Sequence, residues 1–333
     1  MIPLEKLKAA RVVIGHAREE GGPCPDALAA ALIVRDVLPN VEVRFVANES
    51  RERAELRVEP GMIFLDIAPP SKRVAAFMSG GAIVLDHHAT AKDDVALFRD
   101  LGVYSDEPGV SAATLAYRHV WQPLKIAEWG SESGMYWATR HEEVERFARL
   151  VGVRDTFQTN DPDWTKACDQ TASLTFVPAE EWLSRSGVLL EIGAANRERD
   201  DRPDDRQADT LADWMRIGSL LRRRSAADSR AMVEGGFRFT TEKGTRVLVC
   251  AGTAVSDVVV SEVDVDVVVG FAFRVRGGAP AMKLSFRSRG FPVRPIAEAL
   301  GGGGHDRAAS AWTDLHASHR HPYAVVRTIM ETW

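Results

Sequence analysis

The sequence is poor in cysteine and has no long apolar run. Its 333 residues include three cysteines, Cys24, Cys168 and Cys250, which are too few and too scattered for a disulfide framework. No stretch approaches the about 18 consecutive apolar residues of a membrane span, and the opening MIPLEKLKAA lacks the apolar segment of a secretory signal. These absences predict a soluble protein of the cytoplasm with no membrane partner.

An excess of basic charge is also absent. Lys plus Arg number 42 against 47 Asp plus Glu, which gives a formal net charge of −5. A protein that coats long nucleic acid needs a broad basic surface, because phosphate contacts dominate its affinity. Any anionic substrate must therefore be held by a local basic patch or by metal ions. With 45% hydrophobic residues, the chain is long enough for two domains that each have a core.

The first ninety residues repeat one pattern, a short β-branched and aliphatic run that ends in a polar residue. The runs are RVVIGH at 11–16, GMIFLD at 61–66 and AIVLDHH at 82–88, with a further apolar run, VEVRFVA, at 41–47. Helical periodicity over 26–38 and 71–78 separates them. Apolar strands that alternate with helices predict a parallel sheet with helices on both faces.

Polar residues end three of these runs: His16, Asp66, Asp86, His87 and His88. Because ligands collect outside the carboxyl ends of parallel strands, we expect these residues to meet at one edge of the sheet. Hard divalent cations take carboxylates, imidazoles and water, and two ions about 4 Å apart can act on both oxygens of a phosphoryl transfer. The pattern predicts a two-metal site in which Asp66 serves both ions. One adjacent histidine would bind metal, and the other would donate to a phosphate oxygen or protonate the leaving group.

The remainder of the chain changes character twice. Residues 186–234 are charge-dense and then helical, which indicates a solvated turn and a connecting helix. Predicted strands at 237–242, 245–252, 265–275 and 281–288, with helices at 292–300 and 323–331, indicate a smaller mixed α+β domain. We therefore predict a domain over 1–185, a linker over 186–234 and a second domain over 235–333.

A glycine run, GGGGH at 301–305, follows the predicted helix that ends at Leu300. Glycines let backbone N–H groups approach an anion closely. His305 is expected to begin the next helix, whose N-terminus would favour negative charge. The run therefore predicts an anion-binding loop.

These motifs in combination resemble the DHH phosphoesterase superfamily with its associated C-terminal domain, including its oligoribonuclease-like and RecJ-like members. The resemblance rests on LDHH at 85–88, the strand-end Asp66, CPDALAAAL at 24–32 and GGGGHDRAASAW at 301–312. It covers roughly residues 10–160 and 235–315. It implies an N-terminal parallel-sheet domain that binds metal and a C-terminal mixed-sheet domain that binds substrate.

The resemblance also implies roles for particular residues. Metal ligands are implied at His16, Asp26, Asp66, His87 and Asp155, with Cys24 at a further ligand position. Asp86 and His88 are the expected catalytic residues, and His88 faces the substrate phosphate. Substrate binding is implied for Arg287, Arg289, Gly302, Gly303, Gly304 and His305.

Cys24 stands where the family pattern has the first aspartate of a pair, and REEGG lengthens the loop after His16. The resemblance to oligoribonuclease-like members, which carry a C-x-D-G version of this motif, favours a functional cysteine. As a thiolate ligand, Cys24 would favour a softer ion such as Co²⁺, Zn²⁺ or Fe²⁺ over Mg²⁺. Alternatively, Glu19 or Glu20 supplies a carboxylate from the loop, or Cys24 is a buried apolar residue and one metal position is weak. Two divalent ions are expected, Mn²⁺ first, with Co²⁺ or another softer ion as the alternative.

The function that follows is a metal-dependent phosphodiesterase that uses a metal-activated water on short oligonucleotides or small nucleotides. Alternatives within the enzyme class are a cyclic-dinucleotide phosphodiesterase, a bisphosphonucleotide phosphatase and an inorganic pyrophosphatase. The glycine-loop domain suits a nucleotide better than pyrophosphate. A rival from another class is a non-catalytic nucleotide sensor that kept the fold. The sequence leaves the oligomeric state open, with a homodimer as one option.

Overall fold

The computed structural model describes residues 1–18, 21–48, 50–129, 134–176, 178–184, 209–253, 260, 262–276, 279–314 and 321–333. The chain divides into two compact units, Met1–Ser219 and Leu220–Trp333. Residues 186–208 of the predicted linker lie outside the described residues, and its helical part is the helix Asp209–Glu234. The predicted domain limits stay predictions.

The first unit alternates strands with helices. Its strands are β1 (Val12–Ala17), β2 (Glu42–Ala47), β3 (Met62–Leu65), β4 (Ile83–Asp86) and β5 (Gly102–Tyr104). Its helices are α1 (Leu4–Lys8), α2 (Pro25–Val37), α3 (Arg51–Ala54), α4 (Val74–Ser79), α5 (Lys92–Ala96), α6 (Ala112–Ala116), α7 (Gln122–Trp129), α8 (Gly134–Asp155), α9 (Trp164–Phe176) and α10 (Ala179–Ser184). A π-helical turn, Tyr117–Trp121, joins α6 to α7.

The five strands form one sheet in the order β2-β1-β3-β4-β5, and all neighbouring pairs are parallel. The chain passes from β1 outward to β2 and returns on the other side of β1 to β3. Such a reversal of strand order opens a crevice at the carboxyl ends of the two strands on either side of it. Here those strands are β1 and β3, which end next to His16 and Asp66.

Both faces of this sheet are buried. Val13, Ile63 and Leu85 belong to a core shared with α2 and α6. Their neighbours in sequence, Ile14 and Val84 among them, belong to the opposite core, which includes side chains of α4 and α5. Alternate residues of a strand point to opposite faces, so a strand buried on both sides must be apolar throughout. The predicted parallel sheet with two covered faces is confirmed.

The second unit is a mixed sheet with helices. Its strands are β6 (Phe237–Thr240), β7 (Arg246–Ala251), β8 (Val267–Arg276), β9 (Ala279–Ser288), β10 (Gly303–His305) and β11 (Ala308–Asp314), and its helices are the C-terminal part of α11 (Asp209–Glu234), α12 (Arg294–Ala299) and α13 (Pro322–Thr332). The strand order is β10-β11-β9-β8-β7-β6, with only β7 and β8 parallel. One face packs on α12 and α13, and Leu248 and Val268 of the other pack on α11. The predicted smaller α+β domain is confirmed.

The segment after Leu300 differs from expectation. His305 does not begin a helix, because it ends β10, which pairs antiparallel with β11. A Cβ on Gly302 would lie 2.1 Å from the carbonyl oxygen of Ser310, and one on Gly304 would lie 2.6 Å from that of Ala308. These glycines therefore let two strands approach closely, and the predicted helix N-terminus at His305 is wrong.

Among the described residues, no helix has both the length and the apolar character that crossing a bilayer requires.

Candidate metal centre

The carboxyl ends of three neighbouring strands bring the predicted residues together. β1, β3 and β4 lie side by side, and they end at or next to His16, Asp66 and Asp86. Two helix ends complete the set, since Asp26 lies in the first turn of α2 and Asp155 is the last residue of α8. α8 runs from Gly134 to Asp155, so its C-terminal end places Asp155 at the site.

The imidazole of His87 lies at the centre of three carboxylates. Its Nε2 is 3.2 Å from Oδ1 of Asp66, 3.2 Å from Oδ2 of Asp155 and 3.6 Å from Oδ2 of Asp26. The side chains of His87, Asp26 and Asp66 are at most 2% exposed. Two buried carboxylates and the partly buried Asp155 around one imidazole repel one another unless positive charge lies between them.

The pKa shifts in this cluster have the same origin. Burial, and then the charges of Asp66 and Asp155, raise the pKa of Asp26 to about 8. Burial alone would lower the pKa of His87, but the hydrogen bond with Asp66 and the charges of Asp155 and Asp26 raise it to about 9. In the metal-free protein, protons therefore supply the positive charge that a cation would supply when bound.

Asp66 faces both halves of the site. Its Oδ1 contacts His87, while its Oδ2 lies 3.5 Å from Nδ1 of His16. Burial would raise the pKa of Asp66, but the imidazoles of His16 and His87 hold it well below its ordinary value. The backbone φ of Asp66 is 63°, a left-handed conformation that costs a non-glycine residue of order 1 kcal/mol. The left-handed conformation places the Asp66 carboxylate between His87 on one side and His16 on the other.

The second group consists of His16, Cys24 and Asp66, whose ligand atoms all lie within 4.8 Å of one another. Nδ1 of His16 and Oδ2 of Asp66 are buried and make no hydrogen bond within the described part of the chain. Burial first, and then the charges of Asp66 and Asp155, raise the pKa of the Cys24 thiol well above its ordinary value. Nδ1 of His16 and Oδ2 of Asp66 therefore lie close enough to the Cys24 sulfur for all three to bind one metal ion.

Backbone hydrogen bonds join the described residues on either side of Glu19 and Glu20. Arg18 N donates to Gly22 O over 2.9 Å, and Cys24 N donates to His16 O over 2.9 Å. The second of these bonds holds Cys24 beside the end of β1. Glu19 and Glu20, the alternative sources of a carboxylate, lie outside the described residues.

Asp86 organises the histidine pair through its Oδ1. That atom accepts hydrogen bonds from the backbone N–H of His87 at 2.7 Å, the backbone N–H of His88 at 2.9 Å and Nδ1 of His88 at 2.8 Å. Burial would lower the pKa of His88, but the charge and hydrogen bond of Asp86 raise it to about 10. The His88 side chain is 30% exposed, so a cationic ring lies at the mouth of the site.

Asp26 is held by residues that the sequence did not predict. Ser111 Oγ donates to its Oδ1 over 2.6 Å, Ala112 N to its Oδ2 over 2.7 Å and Ala113 N to its Oδ1 over 2.9 Å. Ser111 precedes α6, so the carboxylate lies against N–H groups of a helix start, which have no partner within the helix. The signal in the sequence is a serine before an apolar run, which is typical of any helix N-cap.

Asp155 is placed by a close approach of two glycines. A Cβ on Gly152 would lie 2.1 Å from the carbonyl oxygen of Gly109, so α8 can reach the Gly109 turn only without a side chain there. Gly109 N also donates to Thr156 Oγ1 over 2.9 Å. The end of α8 is thus fixed to the same turn that leads to Ser111.

Asn48 and Arg53, which the sequence analysis did not predict, contact the segments that carry His16 and Asp66. The side-chain amide of Asn48 lies 3.4 Å from Nε2 of His16. The guanidinium of Arg53 donates to Asn48 O over 2.9 Å and to Ala68 O over 2.8 Å. Ala68 lies two residues after Asp66, so Arg53 links the loop beside His16 to the turn that carries Asp66.

The predicted substrate residues all lie in the second unit. Nη1 of Arg287 donates to the carbonyl oxygen of Phe286, and Arg289 donates to those of Val260 and Val263 over 3.1 and 2.8 Å. These arginines brace the backbone of their own unit. Contact with substrate stays a prediction for them, as it does for Gly302, Gly303, Gly304 and His305.

The donor sets fit divalent cations. Asp26, Asp66, His87 and Asp155 offer carboxylate oxygens and an imidazole nitrogen, which suit Mn²⁺. His16 and Cys24, with the second oxygen of Asp66, would hold another ion. Hydrogen bonds to ligand residues, such as those from Ser111 to Asp26, are of the kind that orient metal ligands.

Fold and site together define a class, a two-unit α/β protein with an aspartate and histidine centre at the switch point of a parallel sheet. No protein-family model matches the sequence, and no curated protein matches it. Solved structures do match. The DHH domain of a protein described as a member of a ribosomal protein family is 12% identical, with 98% of this chain and 87% of that chain covered and a TM-score of 0.54.

A pGpG-specific phosphodiesterase, PggH from Vibrio cholerae, is also 12% identical, with 96% of this chain and 99% of that chain covered and a TM-score of 0.50. An exopolyphosphatase-related protein from Bacteroides fragilis is 14% identical, with 99% and 93% covered and a TM-score of 0.49. At these identities the likeness is one of fold. The chain has the two-domain fold of DHH proteins, which confirms the resemblance at that level.

Proposed function

We propose that this protein is a divalent-metal-dependent phosphodiesterase that hydrolyses short oligonucleotides or small nucleotides. The observation that supports this best is the convergence of three carboxylates on Nε2 of His87, with one of them, Asp66, also facing His16. When bound, two cations would supply an activated water at neutral pH and positive charge opposite the phosphoryl oxygens. Mn²⁺ is the ion we expect at the His87 position.

The chain itself supplies rigidity. Asp26 is fixed by three hydrogen bonds from Ser111, Ala112 and Ala113, and Asp155 by the packing of Gly152 on Gly109. Ligands locked in this way cannot rearrange when charge develops on the substrate. Preorganised electrostatics of this kind lower the barrier, because the site undergoes little reorganisation during reaction.

His88 is the residue we assign to the substrate. Asp86 holds its Nδ1, so the ring is oriented and presents Nε2–H to a phosphoryl or leaving oxygen. Asp86 raises the pKa of His88 through its charge and hydrogen bond, and a charged donor makes the stronger hydrogen bond to an oxyanion. Asp86 acts through His88 and is a positioning residue in this proposal.

The size of the substrate follows from charge. With a formal net charge of −5, the protein has no general attraction for a long polyanion. A substrate of a few nucleotides needs only a local set of cations, which Arg287 and Arg289 are proposed to provide, with backbone N–H groups of the glycine run as neutral donors. The structural neighbour described as a pGpG phosphodiesterase makes linear dinucleotides the first compounds to test.

The test is a metal-by-substrate screen. Protein stripped with a chelator and reloaded with Mn²⁺ or Co²⁺ is given RNA of two to five nucleotides, a cyclic dinucleotide, 3′,5′-bisphosphorylated adenosine and pyrophosphate. We expect hydrolysis of the short linear RNA that depends on added metal. Asp66→Asn should abolish it, whereas Asp93→Asn, an exposed carboxylate on α5, should not.

The other predicted functions are separate outcomes of this screen. If only the cyclic dinucleotide, the bisphosphate or pyrophosphate is hydrolysed, that compound's class replaces short oligonucleotides as the substrate. If no ester is hydrolysed with any metal while calorimetry detects tight nucleotide binding, the protein is a sensor and the catalytic proposal fails.

A further inference from the structure

The two donor sets of the metal centre differ in chemical hardness. Around His87 the neighbouring donors are three carboxylates. Around His16 they are one carboxylate oxygen of Asp66 and the thiol sulfur of Cys24. Oxygen-rich sites suit Mg²⁺ and Mn²⁺, whereas thiolate and imidazole ligands suit Zn²⁺, Co²⁺ and Fe²⁺. The Asp66 carboxylate therefore lies between an oxygen-rich set of donors around His87 and a set with sulfur and nitrogen around His16.

The geometry of the His16 side is that of ligands rather than of a hydrogen bond. Nδ1 of His16 and Oδ2 of Asp66 are 3.5 Å apart, and neither atom has a hydrogen-bond partner in the described chain. A hydrogen bond between nitrogen and oxygen is usually about 2.9 Å long. Two such ligands, each about 2.1 Å from a tetrahedral zinc ion, lie about 3.4 Å apart. The Asp66 side chain is 1% exposed, so this oxygen cannot be satisfied by bulk water.

The fold brings Cys24 to these two atoms. Its backbone N–H donates to His16 O, and it is the N-cap of α2, with Pro25 fixing the first helical position. An N-cap normally carries a side chain that accepts from the helix N–H groups, as Ser or Asp would. Cys24 makes no such capping bond. Its sulfur lies instead in the space shared with His16 and Asp66.

From these observations we infer that the His16, Cys24 and Asp66 position is a thiolate site for a borderline ion, Zn²⁺, Co²⁺ or Fe²⁺, beside a hard-ion position at His87. The centre is then heterodinuclear, with Mn²⁺ or Mg²⁺ held by Asp26, Asp66, His87 and Asp155. Three protein ligands leave a fourth position open, as in catalytic zinc sites. This inference deepens the proposed function, on which its catalytic meaning rests.

The test is optical titration of the chelator-stripped full-length protein with Co²⁺. A thiolate bound to Co²⁺ gives a charge-transfer band in the near ultraviolet, and oxygen or nitrogen ligands do not. We expect the band in the wild type and in Cys250→Ala, which removes a core cysteine of the second unit. We expect its loss in Cys24→Ser and in Cys24→Asp. Serine is a good N-cap, so Cys24→Ser tests the sulfur with the helix start preserved.

Metal content gives a second readout. The wild type, dialysed against equal Mn²⁺ and Zn²⁺, should retain both ions, and Cys24→Asp should exchange its zinc for manganese. A wild-type protein that binds Co²⁺ without the band overturns the inference, and this result needs no variant to fold. If the band is absent but RNA is hydrolysed, the inference fails and the proposed function stands. If the band is present but RNA is not hydrolysed, the inference about the thiolate site stands and the proposed function fails.

Discussion

The hydroxyl of Ser111 donates a 2.6 Å hydrogen bond to the carboxylate of Asp26, a residue 85 positions earlier in the chain. Both side chains are buried, and the same carboxylate accepts from two backbone N–H groups at the start of α6. The α6 N-terminus therefore sets the direction in which Asp26 faces His87. A proposed metal ligand thus depends on a helix that contributes no ligand itself.

Ser111→Ala should weaken metal binding without removing a ligand. In the metal-free protein Asp26 is protonated at neutral pH, so loss of its hydrogen bond with Ser111 costs about 0.5–1.5 kcal/mol of unfolding free energy. Loss of a hydrogen bond to a metal ligand lowers metal affinity roughly 10- to 100-fold. Calorimetric titration with Mn²⁺ and denaturant unfolding of the metal-free protein measure the two effects. Ser79→Ala is the control, because Ser79 is exposed and bonds only within α4. Unchanged Mn²⁺ affinity in Ser111→Ala would contradict the role assigned to Ser111.

Arg53→Lys should loosen the His16 side of the centre. One guanidinium reaches both Asn48 O and Ala68 O, which a lysine ammonium on a flexible stem cannot reproduce. Affinity for Co²⁺ at that position should fall about 10-fold or more. The spectrum of bound Co²⁺ should also change, which a mere loss of stability would not cause. Arg51→Lys, whose side chain is 84% exposed and pairs with Glu55, should leave affinity and spectrum unchanged.

Asp86→Asn should lower turnover and alter its pH dependence. The asparagine oxygen can still accept from the backbone of the turn, but the negative charge beside His88 is gone. Activity that needs a protonated His88 is lost as the pH rises through the pKa of that ring. Asp86, together with the charges of Asp66 and Asp155, raises the pKa of His88 to about 10, so in Asp86→Asn this pKa drops and activity is lost from a lower pH upward.

Turnover in Asp86→Asn should fall about 100-fold at neutral pH, the usual size of a positioned proton donor. The check is a pH profile of the maximal rate with Asp93→Asn measured alongside. An alkaline limb at the same pH in both variants would rule out the role assigned to Asp86.

Gly152→Ala should displace Asp155. The new Cβ would lie 2.1 Å from the carbonyl oxygen of Gly109, so either α8 or the Gly109 turn must move. Overpacking of this kind costs about 1–3 kcal/mol. We expect both a lower unfolding free energy and a lower metal-dependent activity, because Asp155 is displaced. Gly290→Ala, where a Cβ meets open space, is the matched control. Full stability of Gly152→Ala would show that the two segments are not in contact.

Much of the first unit could be predicted from local patterns. The apolar runs at 11–16, 61–66 and 82–88 give β1, β3 and β4, because a strand covered on both faces must be apolar along its whole length. The edge strand β5, only three residues long, has too little pattern to be predicted. The roles assigned to the strand-end residues remain predictions, although the structure brings their side chains together.

The predicted helix start at His305 was wrong because of the glycines that precede it. Four glycines after Leu300 suggested the end of one helix and the start of another at His305. The structure uses Gly302 and Gly304 to let β10 approach β11, a requirement set by Ser310 and Ala308 on the partner strand. A glycine shows that a side chain is excluded, but its neighbours in space decide why.

The sequence by itself determined the parallel sheet, its covered faces and the residues that end its strands, because hydrophobic period and strand ends are properties of short segments. Only the tertiary structure decided how Ser111 holds Asp26, how Arg53 links two loops, and that Cys24 meets His16 and Asp66. These contacts join segments that are far apart in the chain, and hydrogen bonds between distant segments leave no periodic trace in the sequence. They depend on distances of a few ångströms that packing alone establishes.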